Sequence, residues 1–388
     1  MNEKTPMIPT WDFYNPTEIV FGKPFPAVLS AHVKKINALY ITSEGATRRG
    51  LTAKAKAFFA SEGIAFQIMD CATPNPSFED LEKCKKQLVN FRPAQIISLG
   101  GGSVIDLGKI FSYVLSEDAP TLPEILKLLT QGKSLPNVHV VPFIAIPTTA
   151  GTGSEVTPFS TIWDMVQKKK YSMVARNLFP KTAILSPELT LTLPWDVTLS
   201  TGLDAFSQSL ESVWNKNYTP LTGVFAARAI RLIFDELPKL KNNPKNLEAR
   251  TNMMETSLLG GLCISKTRTA MAHSISYPLT AHFGTPHGIA CSFTLPELCE
   301  YNFQADDGRM KTLCDDIGVD PKKFPEKIMK FMKELDFSNE LKKTITDIPS
   351  VTKLSGEMYT PGRSDNNLKD FTPEILPAFI ERCLKTWL

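Results

Sequence analysis

The chain has 388 residues, 43% hydrophobic and 21% charged, which is enough for one large core or two medium ones and excludes bulk disorder. Its formal net charge of +3 is too small to indicate a nucleic-acid surface, which would need clustered basic residues. The seven cysteines are scattered and never spaced CxxC, which argues against a disulfide framework or a zinc ribbon and favours a reducing compartment.

The N-terminal stretch, MNEKTPMIPTWDF, has no apolar signal core. No run of about 18 apolar residues follows that could span a bilayer. We therefore expect a cytoplasmic protein that binds neither membrane nor nucleic acid.

The first half of the chain alternates strand-like and helical patterns. Short apolar runs end at Gly, Ser, Thr or Pro, and amphipathic stretches separate them; the runs are NALYITSEG, IAFQIMD, AQIISLGGGS and VPFIAIPTTAGTG. This alternation predicts parallel strands with crossover helices, and hence an α/β domain over residues 1–190.

The stretch IISLGGGSVIDLGK runs from an apolar strand into a glycine loop. The loop consists of Gly100, Gly101, Gly102 and Ser103, and a helix is predicted to start near Val104. Glycines let the backbone approach an anion, and a helix N-terminus offers free N–H groups and a positive dipole end. A plain tight turn would need fewer glycines, so we favour a phosphate site.

A second loop, IPTTAGTGSEVTPFS, follows the next strand. Its small residues are Thr148, Thr149, Gly151, Thr152, Gly153 and Ser154. Hydroxyls at the C-terminal edge of a parallel sheet can bind a ribose, a phosphate or a carboxamide, although a polar turn without a ligand is an equal alternative for this loop alone. Two such loops on one sheet predict a dinucleotide site.

After SPELTLTLPWDVT the patterns become helical, which predicts an all-α domain over residues 191–388. In TGLDAFSQSLES, Asp204 and Gln208 lie four residues apart, on one helix face. For Asp204 alone a capping or salt-bridged role is the simpler reading. With His273 and His287, from TAMAHSISYPLTAHFGTPHGIA, it makes a ligand set for a divalent metal such as Zn²⁺ or Fe²⁺.

The motifs GGGSVIDLGK, PTTAGTGSEVT, SPELTLTLP, GLDAFSQSLES and HSISYPLTAHFGTPHG follow one another between residues 100 and 288. In this order they resemble the iron-containing (group III) alcohol dehydrogenase family. The resemblance implies an α/β dinucleotide-binding domain, a helical domain, and a metal in the cleft between them. It also implies interconversion of aldehydes and alcohols with NAD(H) or NADP(H), and a homodimer.

By position, the resemblance assigns the diphosphate to Gly100 through Ser103 and the metal to Asp204, His273 and His287. It assigns further cofactor contacts to Asp106, Thr148, Thr149, Thr152, Ser154 and Lys170.

Two positions depart from the family pattern. Gln208 and Tyr277 stand where iron-dependent members usually carry His, so metal identity stays open between iron and zinc, with Gln208 a weak possible ligand. Tyr277 and His282 are the candidates for returning a proton to the alkoxide.

The cofactor's 2′ position is read from LYITSEGATRRG. Ser43 stands where NAD-preferring relatives tend to have an acidic residue, and Arg48 and Arg49 follow. Without a carboxylate to repel a 2′-phosphate, we predict that NADPH is accepted; a solvated face for the two arginines is the alternative.

The substrate is read from ISKTRTAMAH. Lys266 and Arg268 precede His273, and an ammonium–guanidinium pair suits a carboxylate, sulfonate or phosphonate. The pattern resembles most closely the phosphonoacetaldehyde reductase branch of the family, which predicts reduction of an anionic aldehyde. The alternative for Lys266 and Arg268 is that they are two exposed cations at a helix end. The alternatives for the function are a general alcohol dehydrogenase of the same family, a lyase of the dehydroquinate synthase type, or a metal-free dinucleotide-binding sensor.

Overall fold

The computed structural model describes residues 10–73, 75–88, 91–164 and 167–388. Residues 1–9, which form most of the stretch assessed above for a signal sequence, lie outside the described residues. Among the helices of the described ranges, none combines the length and the apolar character that crossing a bilayer would require.

The N-terminal half is built on a parallel sheet. The strands of this half are β1 (Glu18–Phe21), β2 (Ala38–Ile41), β3 (Phe66–Met69), β4 (Gln95–Gly100), β5 (Phe143–Pro147), β6 (Phe159–Asp164), β7 (Lys169–Val174) and β8 (Thr182–Leu185). The sheet order is β1-β8-β5-β4-β2-β3, with every pair parallel, and β6 and β7 form a separate antiparallel hairpin. The structure confirms the predicted α/β domain, and β2, β3, β4 and β5 match the four apolar runs.

Helices cover both faces of this sheet. They are α1 (Leu29–His32), α2 (Glu44–Arg48), α3 (Leu51–Ser61), α4 (Phe78–Lys86), α5 (Gly102–Val114) and α6 (Leu122–Thr130). Because strand side chains alternate, Leu39 and Ile41 of β2 pack in one core cluster while Tyr40 packs in the cluster on the opposite face. Burial on both faces explains why these strands read as continuous apolar runs.

The second half is helical, as predicted. Its helices are α7 (Trp195–Val213), α8 (Pro220–Asn242), α9 (Leu247–Thr267), α10 (Met271–Phe283), α11 (His287–Ser292), α12 (Leu295–Phe303), α13 (Arg309–Ile317), α14 (Phe324–Glu334), α15 (Phe337–Lys342), α16 (Ile348–Thr352) and α17 (Leu376–Trp387). They share one large apolar core. The chain passes from sheet to helices between β8 and α7, and residue 190 stays our proposal for the domain boundary.

Two glycines pack against each other where the two halves meet. Gly153, in the loop after β5, adopts a left-handed φ of 58°, and it lies against Gly261 of α9. A Cβ atom on Gly261 would lie 2.7 Å from the Cα of Gly153, so neither position has room for a side chain. The second phosphate-type loop is therefore seated directly on the helical half.

The expectation of unpaired cysteines is wrong for one pair. Cys71, after β3, and Cys84, on α4, form a disulfide with a Cα–Cα distance of 6.3 Å. The chain turns back between β3 and α4, so 13 residues of separation bring the two together without a CxxC motif. The remaining cysteines are free and buried.

Candidate active site

A cavity of about 240 Å³ lies between the carboxyl edge of the sheet and the helical half. The loops after β4 and β5 contribute Gly101, Gly102, Ser103, Thr149, Thr152 and Ser154 to its wall. The opposite wall carries Asp204, Gln208, His273, Tyr277 and His287. The lining also includes the charged residues Asp106, Lys170 and Arg363. The structure thus brings most of the residues proposed from the sequence to one place.

The glycine loop after β4 presents a helix N-terminus to this cavity. Helix α5 begins at Gly102, and no side chain caps its first N–H groups. A Cβ on Gly102 would lie 2.6 Å from the Thr152 side chain, and one on Gly100 would collide with Val104. The glycines therefore let the two loops close on each other while the free N–H groups remain open to an anion.

A buried polar network ties helix α5 to the loop after β5 and to β6. The Ser154 hydroxyl donates to Asp106 Oδ1 at 2.6 Å, and the backbone N–H of Thr161 donates to Asp106 Oδ2 at 2.8 Å. The Lys109 ammonium, fully buried, donates to Ser154 Oγ at 2.8 Å and to the Phe159 carbonyl at 2.7 Å. Burial lowers the pKa of Lys109 to about 8, against the raising effect of Asp106 and Glu155.

Asp204 is the centre of a cluster of metal-type donors. His273 Nε2 lies 3.2 Å from Asp204 Oδ1, and His287 Nε2 lies 4.0 Å from the same oxygen. Cys291 Sγ lies 3.6 Å from His287 Nε2, and one donor atom from each of the four residues falls within 4.8 Å of the others. The cluster joins the middle of α7 to α11 and to the N-terminal end of α10.

Glu211 orients the first of these histidines. Its fully buried carboxylate lies 2.5 Å from His273 Nδ1 and accepts the backbone N–H of the same residue at 3.2 Å. With Nδ1–H held this way, the lone pair of Nε2 is free for a metal ion that binds together with Asp204. Burial opposes a charged ring, but negative groups led by Cys291 and Glu211 hold the pKa of His273 well above its ordinary value.

The donor set fits a divalent metal. Asp204 has a side chain only 5% exposed, and burying its charge is costly without a cation. Burial would raise its pKa, but His273 and His287 outweigh that effect and lower it. One carboxylate and two imidazoles are ligands that zinc and iron sites share.

Gln208 lies beside this cluster. Its amide Nε2 donates to the Thr152 carbonyl at 3.3 Å, which links α7 to the loop after β5. Its carbonyl Oε1 is buried and has no hydrogen-bond partner among the described residues.

Two cations reach the cavity near Tyr277. The Lys170 ammonium, on β7, lies 4.4 Å from the centroid of the Tyr277 ring. The Arg363 guanidinium donates to the Ser172 hydroxyl at 3.2 Å. Burial favours the neutral phenol, but Lys170 and Arg363 outweigh it and lower the pKa of Tyr277.

The structure keeps three residues proposed for substrate binding and proton transfer out of the cavity lining: Lys266, Arg268 and His282. The Lys266 ammonium pairs with Asp12 at 2.6 Å, and Arg268 is the exposed C-terminal cap of α9 with φ 61°. The sequence places both before His273, but the end of α9 directs the chain away before α10 begins. His282 pairs with Glu357 at 2.9 Å instead of facing the metal-type donors.

The residues near the first strand also have local roles. Ser43 caps α2 by accepting the N–H of Ala46 at 3.3 Å, and it is not among the described residues that line the cavity. Arg48 pairs with Glu44 on the exposed face of α2. Arg49 instead donates to the Thr148 hydroxyl at 3.2 Å, so one of the two arginines reaches the loop after β5.

Sequence reasoning missed Cys291 and Arg363. Cys291 lies four residues after His287, the spacing that puts two side chains on one helix face, so a search for donors at that spacing could have found it. Arg363 lies in a loop about 75 residues beyond the histidines, in TPGRSDNN, and no motif marks it.

Comparison with known proteins gives matches along most of the chain. The family model described as iron-containing alcohol dehydrogenase matches residues 16–187, and the C-terminal model of the Fe-containing alcohol dehydrogenase family matches residues 198–370. The chain is 30% identical to the sulfoacetaldehyde reductase of Bilophila wadsworthia, over 84% of this chain and 82% of that protein. It is 32% identical to the phosphonoacetaldehyde reductase of Streptomyces viridochromogenes, over 58% of this chain and 57% of that one.

A solved structure is similar over almost the whole fold. The sulfoacetaldehyde reductase of Bifidobacterium kashiwanohense, in complex with NAD⁺, superposes with a TM-score of 0.84 at 29% identity, covering 96% of this chain and 98% of that one.

Proposed function

Because the chain belongs to the iron-containing alcohol dehydrogenase family, we propose that it reduces a small anionic aldehyde to its alcohol with NADPH or NADH. The observation that carries the anionic substrate is the pair of cations, Lys170 and Arg363, in the same cavity as Asp204 and its two histidines. Two of the similar proteins are named as reductases of sulfoacetaldehyde and phosphonoacetaldehyde, which supports an aldehyde with a strong acid group.

The dinucleotide is proposed to lie across the two loops at the sheet edge. The uncapped N–H groups of α5 and Ser103 suit its diphosphate, and the hydroxyls of Thr149 and Thr152 suit its sugar or carboxamide. Asp106 and Ser154 line the same wall, whereas Lys170, 4.4 Å from the centroid of the Tyr277 ring, is proposed to bind the substrate and not the cofactor. Acceptance of NADPH rests on Ser43, which has no carboxylate, while the neighbouring Glu44 is paired with Arg48.

Asp204, His273 and His287 are proposed to hold the metal. A bound divalent metal supplies a Lewis acid for the carbonyl oxygen, and a bound reduced nicotinamide supplies the hydride. Glu211 keeps His273 in the tautomer that leaves Nε2 free. Lys170 and Arg363 are proposed to bind the acid group and so to fix the orientation of the carbonyl.

The alkoxide product needs a proton, and Tyr277 is the residue proposed to deliver it. Its ring stacks on that of His287, with centroids 6.4 Å apart, and it lines the cavity. A phenol whose pKa is lowered by Lys170 and Arg363 is a better acid at neutral pH. We do not propose this role for His282, because it pairs with Glu357 outside the cavity lining.

The proposal is tested by measuring NADPH and NADH oxidation with purified protein that is stripped of metal and then reloaded with zinc or iron. The substrates are sulfoacetaldehyde, phosphonoacetaldehyde, succinate semialdehyde and propanal. Charged hydrogen bonds stabilise by about 1.5–3 kcal/mol, so we expect at least ~10-fold higher kcat/KM for one anionic aldehyde than for propanal. Faster reduction of propanal would refute the anionic substrate, whereas reduction of none would favour the sensor or the lyase.

A further inference from the structure

Gln208 occupies the position at which the family resemblance implies a further metal ligand. Where the family resemblance implies an imidazole, Gln208 offers only an amide, and its nitrogen is already engaged on the Thr152 carbonyl. Its carbonyl oxygen is buried without a partner among the described residues. An amide oxygen is a weaker donor for transition metals than imidazole or thiolate. Another side chain is therefore free to complete the ligand set.

Cys291 is placed to do so. It lies one helical turn after His287 on α11, fully buried, with Sγ 3.6 and 3.7 Å from the two ring nitrogens of that histidine. It is the fourth residue whose donor atom falls within 4.8 Å of those of Asp204 and the two histidines. The other free cysteines pack in the apolar core, and Cys263, for example, donates to the Thr222 carbonyl at 3.4 Å.

We infer that Cys291 is the fourth protein ligand of the metal, and that the site binds zinc in preference to ferrous iron. This inference rests on the metal site in the proposed function. The thiol releases its proton to solvent and binds as thiolate through Sγ. A carboxylate, two imidazoles and a thiolate would give the metal four protein donors, and zinc can expand to five ligands, which leaves a position for the carbonyl oxygen. A thiolate shifts selectivity toward zinc.

If the Cys291 thiolate on α11 replaces the imidazole that the family resemblance implies at position 208 on α7, the presence of both Gln208 and Cys291 is explained. Gln208 can serve as a structural link between α7 and Thr152 because its position is no longer needed for ligation. Cys291 is buried among the metal-type donors, and a metal would give its sulfur a function beside Asp204.

The test loads the metal-stripped full chain with Co²⁺ under anaerobic conditions and records its absorption spectrum. Cobalt in a protein site gives visible ligand-field bands, and a coordinated thiolate adds an intense charge-transfer band in the near ultraviolet. We expect both in the unmodified protein. Cys291→Ser should keep the visible bands and lose the near-ultraviolet band, whereas Cys263→Ser, a matched buried thiol, should keep both. Gln208→Ala should also keep the charge-transfer band.

Zinc affinity gives a second readout that does not depend on activity. Competition with a chromophoric chelator should show that Cys291→Ser weakens zinc binding by at least ~10–100-fold, the loss typical of removing even an outer-shell partner. Iron affinity should fall less, because a hydroxyl replaces a thiolate that iron prefers less.

The outcomes separate this inference from the proposed function. Visible cobalt bands without a charge-transfer band, or a band that persists in Cys291→Ser, would overturn the ligand role of Cys291 and leave the metal site intact. Absence of all cobalt bands, in the unmodified protein as in Asp204→Asn, would overturn both.

Discussion

Replacing Arg363 by alanine tests the recognition of the acid group. The half-buried Arg363 guanidinium lines the cavity, donates to the Ser172 hydroxyl at 3.2 Å and lies 6.0 Å from the centroid of the Phe159 ring. These contacts fix its planar donor face, so little side-chain entropy is lost when an anion binds. The loss of one charged hydrogen bond in such a position costs about 1.5–3 kcal/mol.

This free energy corresponds to a fall of about 10–150-fold in kcat/KM for an anionic aldehyde. Propanal carries no acid group, so its kcat/KM should change by less than about 3-fold, the scatter expected of a local packing change near 0.5 kcal/mol. The assay compares the kcat/KM of sulfoacetaldehyde or phosphonoacetaldehyde with that of propanal in the same preparation. Arg363→Lys keeps the charge but loses the forked geometry, and it should lie between the unmodified protein and the alanine variant.

Lys266→Ala is the matched control, because it removes a cation that pairs with Asp12 rather than lining the cavity. It should leave the ratio of anionic to neutral substrate unchanged. An equal fall for both substrates in Arg363→Ala would show that the residue supports the fold and not substrate recognition. A larger effect from Lys266→Ala would restore the assignment drawn from the sequence.

Three further predictions concern the metal, the proton and a buried acid. Asp204→Asn should lower bound metal to below one tenth of the unmodified level, measured by elemental analysis after dialysis, and full retention would contradict its ligand role. Tyr277→Phe should lower kcat by about 10²–10⁴-fold with KM little changed, and an unaltered kcat would assign the proton to another group. Burial raises the pKa of Glu155 to about 7, against the lowering effect of Lys109, so its folded form favours the neutral acid. The stabilising contribution of Glu155 is therefore fully present below about pH 4.5 and is lost as pH rises through 7. At about 1.4 kcal/mol per pKa unit, the free energy of unfolding falls by roughly 3 kcal/mol over this range. Thermal melts from pH 5 to 8 should show Glu155→Gln gaining on the unmodified protein as pH rises, and parallel profiles would refute the assignment.

The predictable part of the fold is the part whose residues are buried on regular faces. Strands β2, β4 and β5 are wholly buried, so their sequences are continuous apolar runs that end in turn residues. Strand β1 was missed because it lies at the edge of the sheet and three of its four residues are exposed. Strand β6 was missed because it has apolar residues on both faces: Phe159 and Trp163 line the cavity, whereas Ile162 packs in the core.

The site divides in the same way. Asp204 and His287 were proposed because they lie in motifs, and the structure places them together. Lys266 and Arg268 were proposed from nearness in sequence to His273, but the left-handed backbone at Arg268 turns the chain at the end of α9 and leaves both outside the cavity lining. Arg363 reaches the cavity only through the tertiary fold, so no local pattern could reveal it.

The contact between Gly153 and Gly261 has a consequence for recombining halves of related enzymes. The two glycines come from different halves of the chain, yet each occupies the space that a side chain of the other would need. A chimera that combines this dinucleotide half with the helical half of a relative can therefore assemble only if the relative also has glycine at the facing position of its own α9. The two halves can therefore be exchanged only between relatives that have glycine at both of these facing positions.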